Sequence, residues 1–277
     1  MAQVVPFEYK TLDLNIEDTE INLSIIQRLT GKDKIILFLH GFGSSKEDYA
    51  NLIYFDAFKE YDFIAYDAPS FGGSTCSNHE KLSIPFLVKT AKAILSEYNI
   101  EKFHVSGHSM GGLTALLLAD ELSDKVLSFI NIEGNISPED CFLSRQIISF
   151  PEKNPNNFFD KFIERVKVSY DPAAALYAAN IKTKVSPSAI KPIFSSMVEL
   201  SDSETLMTKF LNLPCPKMFM YGVTNRHLSY LANIQEKGVR LSEINFCGHF
   251  PMYSNPVQMW NDIAKFLSET SRKIKII

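Results

Sequence analysis

The sequence predicts an α/β fold in which a mostly parallel, eight-stranded sheet is flanked by helices and interrupted by a helical insertion. Three observations carry this. Six continuous apolar runs, KIILFLHGFG (34–43), YDFIAYD (61–67), KFHVSG (102–107), KVLSFINIEG (125–134), PKMFMYG (216–222) and VRLSEINFCG (239–248), have the character of strands covered on both faces. Helical periods lie between several of them, over residues 82–98 with Ser83 as N-cap and Pro85 in the first turn, and over 113–122. Strands alternating with helices imply parallel pairing. Residues 135–211 contain no such run, but hold helical stretches such as NNFFDKFIERVKVSY and DPAAALYAANI between prolines. We therefore expect a core of residues 1–134 and 212–277 and a helical cap over residues 135–211, covering the C-terminal edge of the sheet.

Before the first buried run, residues 7–14 and 21–29 alternate apolar with polar side chains around an acidic turn, Glu17-Asp18-Thr19-Glu20. That is the pattern of two half-exposed antiparallel strands. With the six buried runs they bring the expected sheet to eight.

Composition narrows the function classes. The 277 residues are 45% hydrophobic and 22% charged, ordinary for a globular chain with one large core. Lys and Arg number 28 against 32 Asp and Glu, a net charge of -4 with the signs interspersed, which argues against an electrostatically driven nucleic-acid binder. No window approaches 18 uninterrupted apolar residues, and the first twenty residues lack a basic stretch followed by an apolar one, so a cytoplasmic protein without a membrane span is expected. The oligomeric state is left open. Cys76, Cys141, Cys215 and Cys247 are widely spaced and accompanied by no histidine cluster, so neither a metal site nor a disulfide framework is expected, and no cofactor is implied.

The segment VSGHSMGGL (105–113) carries the chemistry. Gly107-His108-Ser109-Met110-Gly111 falls between a strand and a helix, the setting of a nucleophile elbow, where a sharp turn lifts the serine hydroxyl above the sheet edge. The bland alternative is Ser109 as a helix N-cap. A second segment, HGFGSS (40–45), ends the first parallel strand where an acyl-transfer site needs backbone N–H groups for a developing oxyanion. Met110, following the nucleophile, supplies one donor; Phe42 is chosen for the other, with Gly41 as the alternative. His40 and, in YDAPSFGGS (66–74), Asp67 read as residues that fix loops.

The succession HGFGSS, YDAPSFGGS, GHSMGG and CGHFPMYSNP (247–256) resembles the α/β-hydrolase fold superfamily over roughly residues 20–270. The resemblance implies that fold and places the general base at His249, after the last strand. His79, His104 and His227 carry little weight, and His108 is expected to point away from the nucleophile. The superfamily's usual acid follows the strand KMFMYG, where this chain reads Gly222-Val223-Thr224-Asn225, an amide without charge. Glu133, at the end of the preceding strand, is the candidate instead. A subset of α/β-hydrolases, some haloalkane dehalogenases among them, is similar in carrying a glutamate there. Asp140 is the reserve acid, alternatively read as a helix N-terminal charge.

The expected activity is hydrolysis of carboxylic esters, with thioesters and lactones left open, by a Ser109-His249-Glu133 triad through an acyl-enzyme. The expected substrate is a small molecule with an apolar acyl or alcohol group, because the insertion is rich in aromatic and aliphatic residues. Carbon-carbon or amide hydrolysis by the same triad, and a non-catalytic receptor on a hydrolase scaffold, are the alternatives.

Overall fold

A computed structural model describes residues 7–149, 155–203 and 205–274. The two alternating segments form β1 (Glu8–Ile16) and β2 (Thr19–Arg28), paired antiparallel around a turn whose Glu17 and Asp18 both have positive φ. The chain continues through β3 (Ile35–Leu39), β4 (Asp62–Tyr66), the two-residue β5 (Thr75–Cys76), α1 (Ile84–Glu97), β6 (Phe103–His108), α2 (Met110–Glu121) and β7 (Val126–Ile132). Helices α3 (Phe142–Ile148), α4 (Pro155–Lys167), α5 (Pro172–Lys184), α6 (Pro187–Asp202) and α7 (Leu206–Asn212) follow. The chain then returns to the sheet with β8 (Lys217–Gly222), α8 (Leu231–Glu236), β9 (Arg240–Ile244), α9 (Pro251–Ser254) and α10 (Pro256–Ile274).

The sheet order is β1-β2-β4-β3-β6-β7-β8-β9, with β5 added on β2, so eight strands form the main path and all pairs from β4 to β9 are parallel. Strands β3, β4 and β6 lie at its centre, and β4 and β6 are buried at every position. That burial on both faces is why they read as unbroken apolar runs rather than alternating ones. The expected start of α1 is present: Ser83 Oγ accepts from the Phe86 N–H at 3.3 Å, and Pro85 occupies the first turn. Opposite, α10 seals the sheet with Trp260, fully buried edge-on to Phe38 and Phe58 and donating from Nε1 to Asn51 Oδ1 at 2.7 Å. An aromatic of this size satisfies its one polar atom and spends the rest of its surface on packing.

Parallel strands bring the ends of β3, β6, β7, β8 and β9 to one edge. The chain passes from β3 outward to β4 and then back across to β6, so the strand order reverses between β3 and β6. A crevice opens at such a reversal, and the turns after those two strands line it. Helices α3 to α6 lie between β7 and β8 in sequence, whereas α7 packs on the core, its Phe210 ring edge-on to Phe129 of β7 and to Phe219 of β8. Among the described residues no helix is long and apolar enough to cross a membrane.

Candidate active site

Ser109 stands at the turn from β6 into α2 with φ 51° and ψ -117°, a strained conformation for a residue with a side chain. Its N–H donates to the Ile132 carbonyl at 2.9 Å, and although it occupies the N-cap position of α2, its side chain makes no cap bond, so the hydroxyl is not engaged as the bland reading would have it. The tightness of the turn explains its glycines. A Cβ on Gly107 would meet the Gly111 carbonyl oxygen at 2.2 Å, and one on Gly111 the Leu39 carbonyl oxygen at 2.2 Å. Met110 opens α2, and the first N–H groups of a helix have no intrahelical acceptor.

His249 lies in the loop between β9 and α9, and its Nδ1 is 2.6 Å from Glu133 Oε2. Glu133 directly follows β7 with φ 49°, a second strained backbone at the same sheet edge, and its side chain is 5% exposed against 41% for that of His249. Its carboxylate is held by two further donors: the Gly222 N–H on Oε1 at 2.7 Å and Asn225 Nδ2 on Oε2 at 2.7 Å. The amide in the superfamily's usual acid position thus donates to the acid that follows the neighbouring strand. With Nδ1 turned to a carboxylate, the imidazole leaves Nε2 as its second nitrogen for other work.

Asp140 lines the same cavity, but its oxygens are engaged elsewhere. Oδ2 accepts from the N–H groups of Ile136 and Ser137 at 2.8 and 2.9 Å, and Oδ1 from the Tyr230 hydroxyl at 2.8 Å. Burial pushes its carboxyl up to about 6.

His108, expected to point away from the nucleophile, meets the loop of His249. Its ring lines the cavity, its centroid is 4.8 Å from that of His249, and Nε2 lies 2.8 Å from the His249 carbonyl oxygen. A carbonyl can only accept, so Nε2 carries the proton and donates. Burial, with the neighbouring His249 second, holds the His108 pKa well below the ordinary histidine value, and the ring is neutral. No local pattern announces this contact, which joins residues 141 apart in sequence.

The loop after β3 is braced from beneath and from above. Below it, His40 Nε2 accepts from the Ala68 N–H at 2.9 Å and Nδ1 donates to the Gly41 carbonyl at 2.7 Å, which fixes the tautomer. Asp67 accepts from the Lys46 N–H at 2.9 Å, from Lys46 Nζ at 2.7 Å and from the Gly73 N–H at 2.9 Å. Above it, the Tyr177 hydroxyl of α5 donates to the Phe42 carbonyl at 2.9 Å, while the Phe42 ring packs against Phe194 of α6 at 4.3 Å between centroids. Tyr177 also stacks on Phe250, next to His249, so one helix of the insertion touches both loops that border Ser109. Nothing in the periodicity of α5 singled out Tyr177.

Ser109, His249, Glu133 and Phe42 all line one cavity of about 580 Å³. Its apolar wall comes from Phe142, Leu143, Phe162, Val166, Phe194 and Met197 of the insertion, and no lysine or arginine lines it among the described residues. No cluster of three or more potential metal ligands occurs among the described residues.

Known proteins can be set beside this geometry. The chain is 23% identical over 251 residues to a Mycoplasma genitalium protein named "Putative esterase/lipase 1", with 84% of this chain and 92% of that one covered. Its fold is similar to that of a carboxylesterase from the ammonia-oxidizing thaumarchaeon Nitrososphaera gargenis (TM-score 0.77, 15% identity, covering 95% of this chain and 100% of the other). It is also similar to a thermophilic esterase from Thermogutta terrifontis (TM-score 0.73, 18% identity, covering 94% and 99%). The family model described as alpha/beta hydrolase fold matches residues 34–183, more than half of the chain, and the chain belongs to that family.

Proposed function

We propose that this chain is a serine hydrolase of carboxylic esters bearing an apolar acyl or alcohol group, thioesters and lactones included. The observation that carries the reading is the 2.6 Å contact of His249 Nδ1 with Glu133 Oε2 in the cavity that Ser109 also lines. The esterase or lipase name borne by a relative covering most of the chain supports the same chemistry.

In this reading the Ser109 oxygen attacks the ester carbonyl carbon as its proton passes to His249 Nε2, and the carbonyl π electrons move onto oxygen. The N–H groups of Phe42 and Met110 stabilise that oxyanion. Collapse expels the alcohol, which takes the proton from His249 and leaves an acyl-serine. Water, deprotonated by His249, then releases the acid and restores the hydroxyl. Glu133 holds the ring in the working tautomer and stabilises its cation. Helices α3 to α6 act as a cap whose apolar wall receives the substrate, and a lining that, among the described residues, holds Glu133, Glu139 and Asp140 but no lysine or arginine disfavours anionic esters.

The test is hydrolysis of p-nitrophenyl esters of increasing chain length by wild type and Ser109→Ala. Turnover that falls by about a thousandfold or more in the variant is expected. Equal turnover by both proteins, or none by wild type across the series, would sink the reading.

A further inference from the structure

We propose that Asn225 is the positioning residue that makes Glu133 usable as the acid, an inference that rests on the Ser109-His249-Glu133 reading. A glutamate one strand away from the superfamily's usual acid position is long, and its carboxylate needs an external hold to keep one oxygen on the histidine. Three donors supply that hold, and two of them, Asn225 Nδ2 and His249 Nδ1, converge on the same oxygen, Oε2, at 2.7 and 2.6 Å. The third, the Gly222 N–H, fixes Oε1 at 2.7 Å. The turn after β8 (Val223–Asn225) aims the amide, with the Asn225 carbonyl accepting from the Leu228 N–H at 3.2 Å.

An amide has the right chemistry for this position. It donates without carrying a charge of its own, so it orients the carboxylate without competing for the imidazole proton. An aspartate at 225 would instead set a second negative charge within hydrogen-bond distance of the first. The Asn225 amide oxygen cannot be the atom facing Glu133, since two acceptors would then oppose each other. The uncharged residue that looks like a lesion in the motif is thereby the partner of the relocated acid, and the two positions form one unit.

The test compares Asn225→Leu, Glu133→Gln and the double variant through kcat, KM and the pH profile of kcat/KM. Removing the Asn225 donor leaves His249 as the one side-chain partner of Glu133 Oε2 among the described residues, and the acid limb of the profile is expected to move. A fall in kcat of roughly ten- to a hundredfold is expected, with KM within about threefold. In the Glu133→Gln background, Asn225→Leu is expected to add little, because its partner is already gone. If Asn225→Leu fails to fold, Asn225→Ala provides the same comparison. The proposal is overturned by an unmoved acid limb with wild-type kcat, by a loss confined to KM, or by a full additional loss in the double variant. Glu133→Gln separates the two claims: if it retains turnover, the triad reading itself fails, whereas its loss beside an unaffected Asn225→Leu overturns this inference alone.

Discussion

The buried ring of His108 donates from Nε2 to the backbone carbonyl of His249 at 2.8 Å, so the residue before Ser109 holds the loop that carries the proposed base. Because burial keeps His108 neutral, it does not contribute a titration to the pH profile near neutrality. We expect His108→Leu to lower kcat by roughly tenfold through a loosened His249 loop. His108→Gln, which keeps a donor, should retain more activity than His108→Leu. Steady-state kinetics on the two variants check this, and equal kcat in both would contradict it.

The Lys46 and Asp67 side chains form an ion pair at 2.7 Å and are 6% and 1% exposed. Asp67→Ala leaves the buried Lys46 ammonium with Glu47 as its one remaining carboxylate among the described residues, at 2.8 Å, and takes the acceptor from the Lys46 and Gly73 N–H groups, so it is expected to cost about 3 kcal/mol of stability. Replacing both charges with apolar residues, as in Lys46→Met with Asp67→Leu, should recover only part of that loss, because the backbone N–H groups at positions 46 and 73 still lose their acceptor. Denaturant unfolding of the single and double variants measures both terms.

Asp140 makes stability depend on pH in a direction that can be worked out. Its folded pKa of about 6 lies above the unfolded value of about 4. Between those values the folded chain binds the extra proton, so its contribution falls as pH rises through that window, and the full cost is present above it. That cost is about 3 kcal/mol. Asp140→Asn is therefore expected to flatten the change in stability between pH 4 and 7, which thermal unfolding at a series of pH values reads directly. An unchanged slope would contradict the assignment.

Phe194 is 2% exposed and packs its ring 4.3 Å from that of Phe42 along the cavity wall. Phe194→Ala should cost about 3 kcal/mol in stability and enlarge the cavity, shifting the preferred p-nitrophenyl ester toward longer chains. Met197→Phe, on the same wall, should shift the preference toward shorter ones. Specificity profiles of both variants decide the point.

The strands at the centre of the sheet were legible because burial on both faces leaves an unbroken apolar run, as in β3 and β6. Two-residue β5 was not, since Thr75–Cys76 is too short to show any period. Around the site, glycines at 107 and 111 marked a cramped turn at Ser109, and a missing charge at 225 directed attention to Glu133. What the sequence could not convey is pairing at a distance. The His108 contact with His249, the Tyr177 contact with Phe42 and the Asn225 contact with Glu133 span 141, 135 and 92 positions, and each is set by how separate elements dock.

The central claim is that Ser109 is the nucleophile and that Glu133 powers it through His249. The most direct measurement is the inactivation rate with a fluorophosphonate, with the adduct located by mass spectrometry, in wild type, Ser109→Ala, Glu133→Gln and Asp140→Asn. We expect a single adduct on Ser109 in wild type, none there in Ser109→Ala, a rate lowered by about a thousandfold or more in Glu133→Gln, and a near wild-type rate in Asp140→Asn. An adduct elsewhere, or a rate kept in Glu133→Gln and lost in Asp140→Asn, would contradict it.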